Sequence, residues 1–130
     1  MQPTFNPVVW FEIYVNDMAR ARRFYEAVLQ VKMEPMQAPP GDASGAEMLS
    51  FPGEMERPGA NGMLVKMPGV PTGGGGTLVY FHSEDCAQEE SRVQAAGGSV
   101  HKSKFSIGPY GFCTVLMDTE GNCFGVHSMK

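Results

Sequence analysis

One arrangement occurs twice in this chain of 130 residues: an apolar strand, then an aspartate suited to cap a helix, then the helix. The two aspartates, Asp17 and Asp85, lie 68 residues apart, and Asn61 and Asn122 each precede a short final strand. Repeated supersecondary units usually pack together and bury a shared core. The repeat therefore predicts an α+β fold built from two tandem modules.

The first module is predicted over residues 1–67, with the order β-α-β-β-β. A β-branched and aromatic run over 8–15 indicates the first strand. Asp17 is a suitable N-cap for a helix over 18–29, whose apolar residues at 18, 21, 25 and 28/29 keep helical spacing. Three short strands are predicted to follow, over 31–36, 47–51 and 62–67.

The second module is predicted over residues 77–130, after a linker over 68–76 that contains four consecutive glycines. That run leads into a strand and lacks the Gly-Lys-Ser/Thr of a phosphate loop, so a linker is the better interpretation. Asp85 is expected to cap a helix over 86–96, with Gln88 completing a capping box and two glycines ending it. The predicted strands of this module cover 78–82, 99–104, 112–117 and 123–127.

Alternation along the first strand assigns its two faces. Phe11 and Ile13, with the valines at 9 and 15, form an apolar face that is expected to lie under the helix. Trp10, Glu12 and Tyr14 form a mixed face that is expected to look into a wetter space. In the fifth strand the same rule groups Tyr80 with His82.

Composition excludes several classes of protein. The formal net charge of −4 argues against a nucleic-acid partner, which would require a basic surface. No apolar run has the length of a membrane span, and the amino-terminal residues lack the basic start of a signal peptide. Three cysteines without a CxxC spacing favour a reducing compartment, so a cytoplasmic location is expected.

Five segments carry a family resemblance: FEIYVND at 11–17, RFYE at 23–26, AAGG at 95–98, PYGF at 109–112 and DTEGN at 118–122. Together with the paired β-α-β-β-β order they resemble the vicinal oxygen chelate superfamily, which includes glyoxalase I, extradiol dioxygenases, and fosfomycin- and bleomycin-resistance proteins. The resemblance covers nearly the whole chain, and residues 118–122 (DTEGN) look like the family's Asp-Pro-Glu-Gly-Asn turn with Thr119 in place of proline. It implies one domain whose two βαβββ modules curl a mixed sheet into a cup, with helices outside.

In metal-dependent members of this superfamily, the ligands are His or Glu on the first and last strand of each module. The matching positions here are Trp10 and Leu78 on the first strands, with Gly125 and, from the Asn61/Asn122 alignment, Leu64 on the last. None of these side chains coordinates a divalent metal, and such a site needs about three protein ligands. No metal or other cofactor is therefore expected, and glyoxalase I activity is not expected.

Positions two residues away stay on the cup side and are polar. Glu12 and His127 are candidates for an acid-base pair or, with His82, for a displaced metal site. The simpler interpretation gives them structural roles, with Glu12 paired to Lys66 or hydrogen-bonded. The candidate ligand-binding residues around them are Trp10, Tyr14, Lys66, Tyr80 and His82.

Three functions remain open from the sequence. The first is a metal-independent protein that binds a small, partly aromatic molecule in the cup, for sequestration or resistance. The second is a lyase, isomerase or dioxygenase of the same fold that uses a displaced metal or the Glu12/His127 pair. The third is a non-catalytic assembly or regulatory protein whose cup is filled by aromatic side chains. A homodimer is expected, since members of the superfamily commonly pair modules across chains.

Overall fold

The computed structural model describes residues 2–130, which divide into two compact units. The first unit is Trp10–Thr77, and the second combines residues 2–9 with Leu78–Lys130. Each is built around four strands of a mixed sheet and one helix, so the predicted α+β class and the two β-α-β-β-β modules are confirmed.

In the first unit the strand order is β2-β3-β4-β1. Strands β1 and β4 run parallel, with Glu12 opposite Met63 and Ile13 opposite Leu64, while the other pairs are antiparallel. The parallel pair is joined by a connection that includes the helix and two strands. The elements are β1 (Val8–Tyr14), α1 (Met18–Leu29), β2 (Glu34–Pro35), β3 (Glu47–Ser50) and β4 (Asn61–Lys66).

The second unit repeats this topology with the order β5-β8-β7-β6. Strands β5 and β8 are parallel, with Tyr80 opposite Gly125 and His82 opposite His127, and the remaining pairs are antiparallel. Its elements are β5 (Thr77–His82), α2 (Cys86–Val93), β6 (Ser99–Ser106), β7 (Phe112–Met117) and β8 (Cys123–Ser128).

Both helices begin where the sequence predicts. The Asp17 carboxylate accepts a hydrogen bond from the Arg20 amide at 3.0 Å, and the Asp85 carboxylate accepts one from the Ala87 amide at 3.0 Å. These contacts satisfy amides that have no partner within the first turn of a helix. They also hold the pKa of each aspartate below its ordinary value, with a further hydrogen bond from Lys104 as the larger cause at Asp85.

The apolar face of β1 packs under α1, as its alternation predicts. Ile13 and Val15 contact a buried cluster of Met33, Leu49 and Leu64, to which α1 contributes its residues at 18, 21 and 25. In the second unit the corresponding cluster contains Cys86 from α2 together with residues 116 and 126. Each helix therefore covers one face of its own strands.

Three local expectations differ from the structure. Of the strand predicted over 31–36, only Glu34–Pro35 forms a strand, although the Met36 amide also donates to the Met48 carbonyl. The chain leaves α1 through a left-handed residue, Gln30, and Pro35 has no amide to donate. Helix α2 ends at Val93, short of the predicted residue 96. Val28 and Leu29, which have the spacing of core residues, are exposed at the end of α1.

No helix within residues 2–130 has the length and apolar character that crossing a membrane requires.

Candidate functional site

A buried carboxylate lies on the face of β1 that turns away from α1. Glu12 is only 7 % exposed and accepts hydrogen bonds from the Tyr14 hydroxyl at 2.6 Å and the Trp10 indole nitrogen at 3.3 Å. The three side chains share this face because successive strand residues alternate sides. The sequence grouped these three residues on one face, and the structure joins them through the Glu12 carboxylate.

The surroundings of Glu12 in the first unit are apolar. Its partner across the parallel pair is Met63, and the partner of Tyr14 is Val65, both of them buried. A charged group in such surroundings requires hydrogen-bond donors, and two aromatic side chains supply them here. We call this surface, comprising Trp10, Glu12, Tyr14, Met63 and Val65, the far face of the first unit.

Leu64 and Lys66 lie on the opposite side of the sheet from Glu12. Leu64 is fully buried in the cluster under α1, and Lys66 follows two residues later on the same side, near Asp17. The sequence alignment of Asn61 with Asn122, which placed both residues on the side of Glu12, is therefore wrong by one residue. The residue that corresponds to Gly125 is Met63, since Met63 is opposite Glu12 as Gly125 is opposite Tyr80. A slip of one residue exchanges the two faces of a strand.

The far face of the second unit is occupied by an aromatic ring at Gly125. A Cβ atom added to Gly125 would overlap the ring of Tyr80, which is 7 % exposed. The ring therefore lies directly on the backbone of β8, at a position where only glycine leaves room for it. Leu78, Tyr80, His82, Gly125 and His127 make up this far face of the second unit.

His127 is held by the loop that precedes β7. Its Nε2 lies 2.6 Å from the backbone carbonyl of Tyr110. A carbonyl oxygen only accepts, so this nitrogen carries the proton and Nδ1 is the ring atom that can accept one. If His127 acts as a base, it therefore acts through Nδ1.

His82 is opposite His127 in the neighbouring parallel strand, so the two imidazoles belong to the same face. The ring of Phe5 meets the His82 ring edge-on at a centroid distance of 4.1 Å, and the His82 amide donates to the Pro7 carbonyl. The Glu84 carboxylate is 3.9 Å from His82 Nε2. The segment before β1 thus covers one side of this imidazole.

The residues at the superfamily's metal positions do not fit a divalent metal. With the register corrected, these positions hold Trp10, Met63, Leu78 and Gly125, and the space beside Gly125 contains the Tyr80 ring. Harder divalent metals require imidazole or carboxylate ligands, which none of the four provides. Within residues 2–130, no three His, Cys, Asp or Glu side chains are grouped closely enough to bind a metal ion.

Two depressions lie on the α1 side of the first unit, and the sequence did not indicate them. One, of about 370 Å³, is lined by apolar and polar residues together: Val15, Ala21, Phe24, Tyr25, Asn16, Asp17, Arg20 and Thr72. The other, of about 440 Å³, lies between α1 and the segments around β2 and β3. The signal available in the sequence was Phe24, a large apolar residue of α1 that is not among the predicted core positions 18, 21, 25 and 28/29.

A family model described as a glyoxalase-like domain matches residues 10–127. The chain belongs to the glyoxalase-like domain family. This places it in the vicinal oxygen chelate superfamily and confirms the resemblance identified from its sequence. A search of curated protein sequences gives no significant match.

Solved structures share the fold of this glyoxalase-like domain at low sequence identity. Methylmalonyl-CoA epimerase from Mycobacterium tuberculosis is 15 % identical, with a TM-score of 0.66 over 100 % of this chain and 93 % of that one. A hypothetical protein from Bacillus halodurans is 10 % identical, with a TM-score of 0.67 over 95 % and 94 %. A Streptomyces coelicolor methylmalonyl-CoA epimerase variant in complex with 2-nitronate-propionyl-CoA is 15 % identical, with a TM-score of 0.64 over 96 % and 98 %. At these identities the likeness establishes the fold.

Proposed function

We propose that this glyoxalase-like domain binds a small, partly aromatic molecule against the far face of the first unit, without a metal ion. The observation that carries the proposal is the buried Glu12 carboxylate held between Trp10 and Tyr14. Small-molecule sites are mostly apolar and contain a few fixed polar groups, which matches a carboxylate among Met63, Val65 and two aromatic rings. Sequestration or resistance is the role that such binding serves.

Each of the three side chains has a distinct part in the proposed site. The half-buried Trp10 ring offers a surface for a planar group, and aromatic contacts add about 0.5–1.5 kcal/mol beyond the burial of area. Glu12 accepts hydrogen bonds, so it favours a ligand that carries an N–H or O–H donor. The Tyr14 hydroxyl donates to Glu12 and holds its carboxylate in place.

Fluorescence of Trp10 tests the proposal without a label, because the chain has a single tryptophan. The screen should contain planar amines, phenols and carboxylic acids. It should also contain acyl-CoA thioesters, since one structural neighbour is a methylmalonyl-CoA epimerase in complex with methylmalonyl-CoA and NH4+. We expect a saturable change in emission with at least one of these classes.

Calorimetry on variants then locates the binding surface. Trp10→Ala and Tyr14→Phe should weaken the binding of a ligand found in the screen. Arg22→Ala, on α1 and therefore on the other side of the sheet, should leave the affinity unchanged. Lys66→Ala is a second control, because Lys66 lies on the α1 side of the sheet, opposite to Glu12. Binding that survives Trp10→Ala and Glu12→Gln together would refute the proposed site.

A second candidate is an enzyme, and the fixed position of Glu12 favours it. A carboxylate oriented by the Trp10 and Tyr14 donors can serve as a general base, the role in which the sequence paired it with His127. If the protein is an isomerase, it should exchange a carbon-bound ligand proton for deuterium in D2O. Glu12→Gln should then abolish the exchange and keep the ligand bound. Saturable binding without exchange supports the first candidate, and a full screen without any binding supports the assembly or regulatory role.

A further inference from the structure

A cysteine and a histidine form a cross-strand pair in the second unit. Cys113 on β7 is opposite His127 on β8, so the two side chains project from the same side of the sheet. The His127 carbonyl accepts from the Ser83 amide at 2.8 Å, so the backbone polar groups of His127 point toward β5 and away from β7. Cys113 and His127 are therefore a non-hydrogen-bonded pair, the type in which α-carbons are about 4.5 Å apart and side chains are closest.

The imidazole of this pair is held in one orientation by the loop before β7. Its Nε2 donates to the Tyr110 carbonyl at 2.6 Å, which leaves Nδ1 as the atom that can take up a proton. A hydrogen bond from the Ile107 amide to the Gly111 carbonyl, at 2.9 Å, closes the loop. Gly111 has a φ of 104°, and a Cβ atom there would collide with the Ser128 carbonyl oxygen, so only glycine lets the loop approach β8. A nucleophile beside a base, with a third group that orients the base, is the arrangement of activated nucleophiles.

The strand on the other side of Cys113 brings positive charge to this part of the sheet. Phe105 on β6 is opposite Cys113, and the Lys102 ammonium lies 3.9 Å from the centre of the Phe105 ring. Reactive cysteines occur in electropositive surroundings, because positive charge favours the thiolate that acts as the nucleophile. Cys113 is 5 % exposed, so a molecule that reaches its sulfur has to be small.

We propose that Cys113 and His127 form a reactive pair that captures small α,β-unsaturated carbonyl compounds. As the sulfur bonds to the β-carbon, the thiol proton passes to Nδ1 of His127 and the electron pair of the C=C bond moves into an enolate. The proton then returns from Nδ1 to the α-carbon, and a thioether remains. The addition consumes no co-reactant, since it requires only a nucleophile and a proton carrier. It belongs to the second unit and does not depend on the binding site proposed around Glu12.

The three cysteines of the chain provide an internal comparison. Acrylamide is the probe, because it is a small member of this class, and peptide mass spectrometry measures its rate of addition to each thiol in the folded protein. Cys123 is exposed, although burial of part of the residue raises the pKa of its thiol, and Cys86 is fully buried. At neutral pH, Cys113 should react about tenfold faster than Cys123, and Cys86 should stay unmodified. Faster addition to Cys123, the order that exposure alone produces, would overturn the proposal.

Substitution of the base separates a reactive pair from a thiol that is merely reachable. His127→Gln can still donate to the Tyr110 carbonyl but cannot take up the thiol proton. It should slow addition to Cys113 about tenfold or more and move the rise of its rate to higher pH, while the Cys123 rate stays the same. His101→Gln is the matched control, since His101 is an exposed histidine of β6 that is not opposite Cys113, and it should change neither rate. A Cys113 rate that is unchanged in His127→Gln, or that falls equally in both variants, would refute the pairing.

Discussion

The two helices occupy equivalent places in the repeat but are attached to their strands by different forces. Helix α1 rests on apolar contacts with Ile13, Val15 and Leu64. Its polar contacts reach only the segment directly after it, where Glu26 accepts from the Met33 amide at 2.9 Å and from Arg22 at 3.0 Å. No side-chain hydrogen bond among the described residues joins α1 to a strand of its sheet.

Helix α2 has a smaller apolar contact, through Cys86 and Val93, and several hydrogen bonds to the sheet. The Glu90 carboxylate accepts from the Lys104 amide at 2.7 Å and from the Ser103 hydroxyl. It also lies 2.9 Å from the buried Thr114 hydroxyl, whose single proton is shared between this carboxylate and the Lys102 carbonyl. Hydrogen bonds to a charged acceptor are stronger than neutral ones.

The repeat relates Arg22 to Glu90, since both stand five residues after their capping aspartates. One is part of a surface ion pair, and the other links a helix to two strands. The two units therefore share a topology although one helix is attached by apolar contacts and the other largely by hydrogen bonds. The shared topology requires only that each helix bury its apolar side.

The largest expected change in stability comes from weakening the apolar contacts between α1 and its strands. Leu64→Ala should lower the free energy of unfolding by about 3 kcal/mol, because it removes a fully buried side chain and leaves a cavity under α1. Urea denaturation measures the change, and Val28→Ala, at an exposed position, should cost far less. A loss at Leu64 no greater than that at Val28 would show that α1 is not held by this cluster.

Removal of the Glu90 carboxylate should weaken the hydrogen-bonded attachment of α2 to its strands. Glu90→Ala should cost about 1–2 kcal/mol, because it deprives the Lys104 amide and the Thr114 hydroxyl of an acceptor. The matched variant Arg22→Ala should cost about 0.5 kcal/mol, as expected for a partly exposed ion pair between neighbouring turns of one helix. Equal losses in the two variants, measured by the same denaturation, would remove the contrast between the helices.

Acid should loosen α2 from its strands. The hydrogen bond from Ser103 is the main cause that holds the pKa of Glu90 below its ordinary value, and the hydrogen bond from Lys104 does the same for Asp85. A lowered folded-state pKa means that the stabilisation is complete at neutral pH. It is lost as the pH falls below the ordinary carboxyl range of about 4 and through the lowered values.

Hydrogen exchange on α2 and β6 amides, compared between neutral pH and acid, measures this loosening. Glu90→Gln should remove part of the pH dependence, because its amide does not titrate. Protection of α2 that is unchanged in acid would contradict the assignment.

The smallest expected effect is that of metal removal. Because Trp10, Met63, Leu78 and Gly125 provide no ligand for a hard divalent ion, we expect no stoichiometric Zn, Ni, Fe or Mn in the purified protein. Addition of a chelator should leave the melting temperature unchanged, since only a bound metal shifts it. One equivalent of metal, lost on substitution of Glu12 or His127, would refute this expectation.

Local patterns in the sequence were sufficient for most of the fold. Asp17 and Asp85 predicted where the two helices begin, because a capping hydrogen bond spans only two or three residues. The alternation in β1 correctly placed Glu12 on the same face as Trp10 and Tyr14. This too is a local relation, since residues two apart in a strand lie on the same face.

Relations between distant strands were not predictable in this way. Asn61 and Asn122 appeared equivalent, yet Asn61 begins β4 and donates to the Phe51 carbonyl, while Asn122 lies in a turn and bonds to Asp118. The register of β4 against β1 depends on tertiary packing, so Leu64 and Lys66 were assigned to the wrong face. The ring of Tyr80 on Gly125 and the loop contact of His127 are likewise long-range and have no local signal.

The contact between Tyr80 and Gly125 also limits how this protein could change. A ligand side chain at residue 125 cannot be introduced by one substitution, because any Cβ atom there would collide with the tyrosine ring. The ring must first be replaced by something smaller, and that intermediate loses a buried aromatic side chain before any new chemistry appears. Evolution or engineering toward a metalloenzyme would therefore have to cross a less stable intermediate, with both positions altered together.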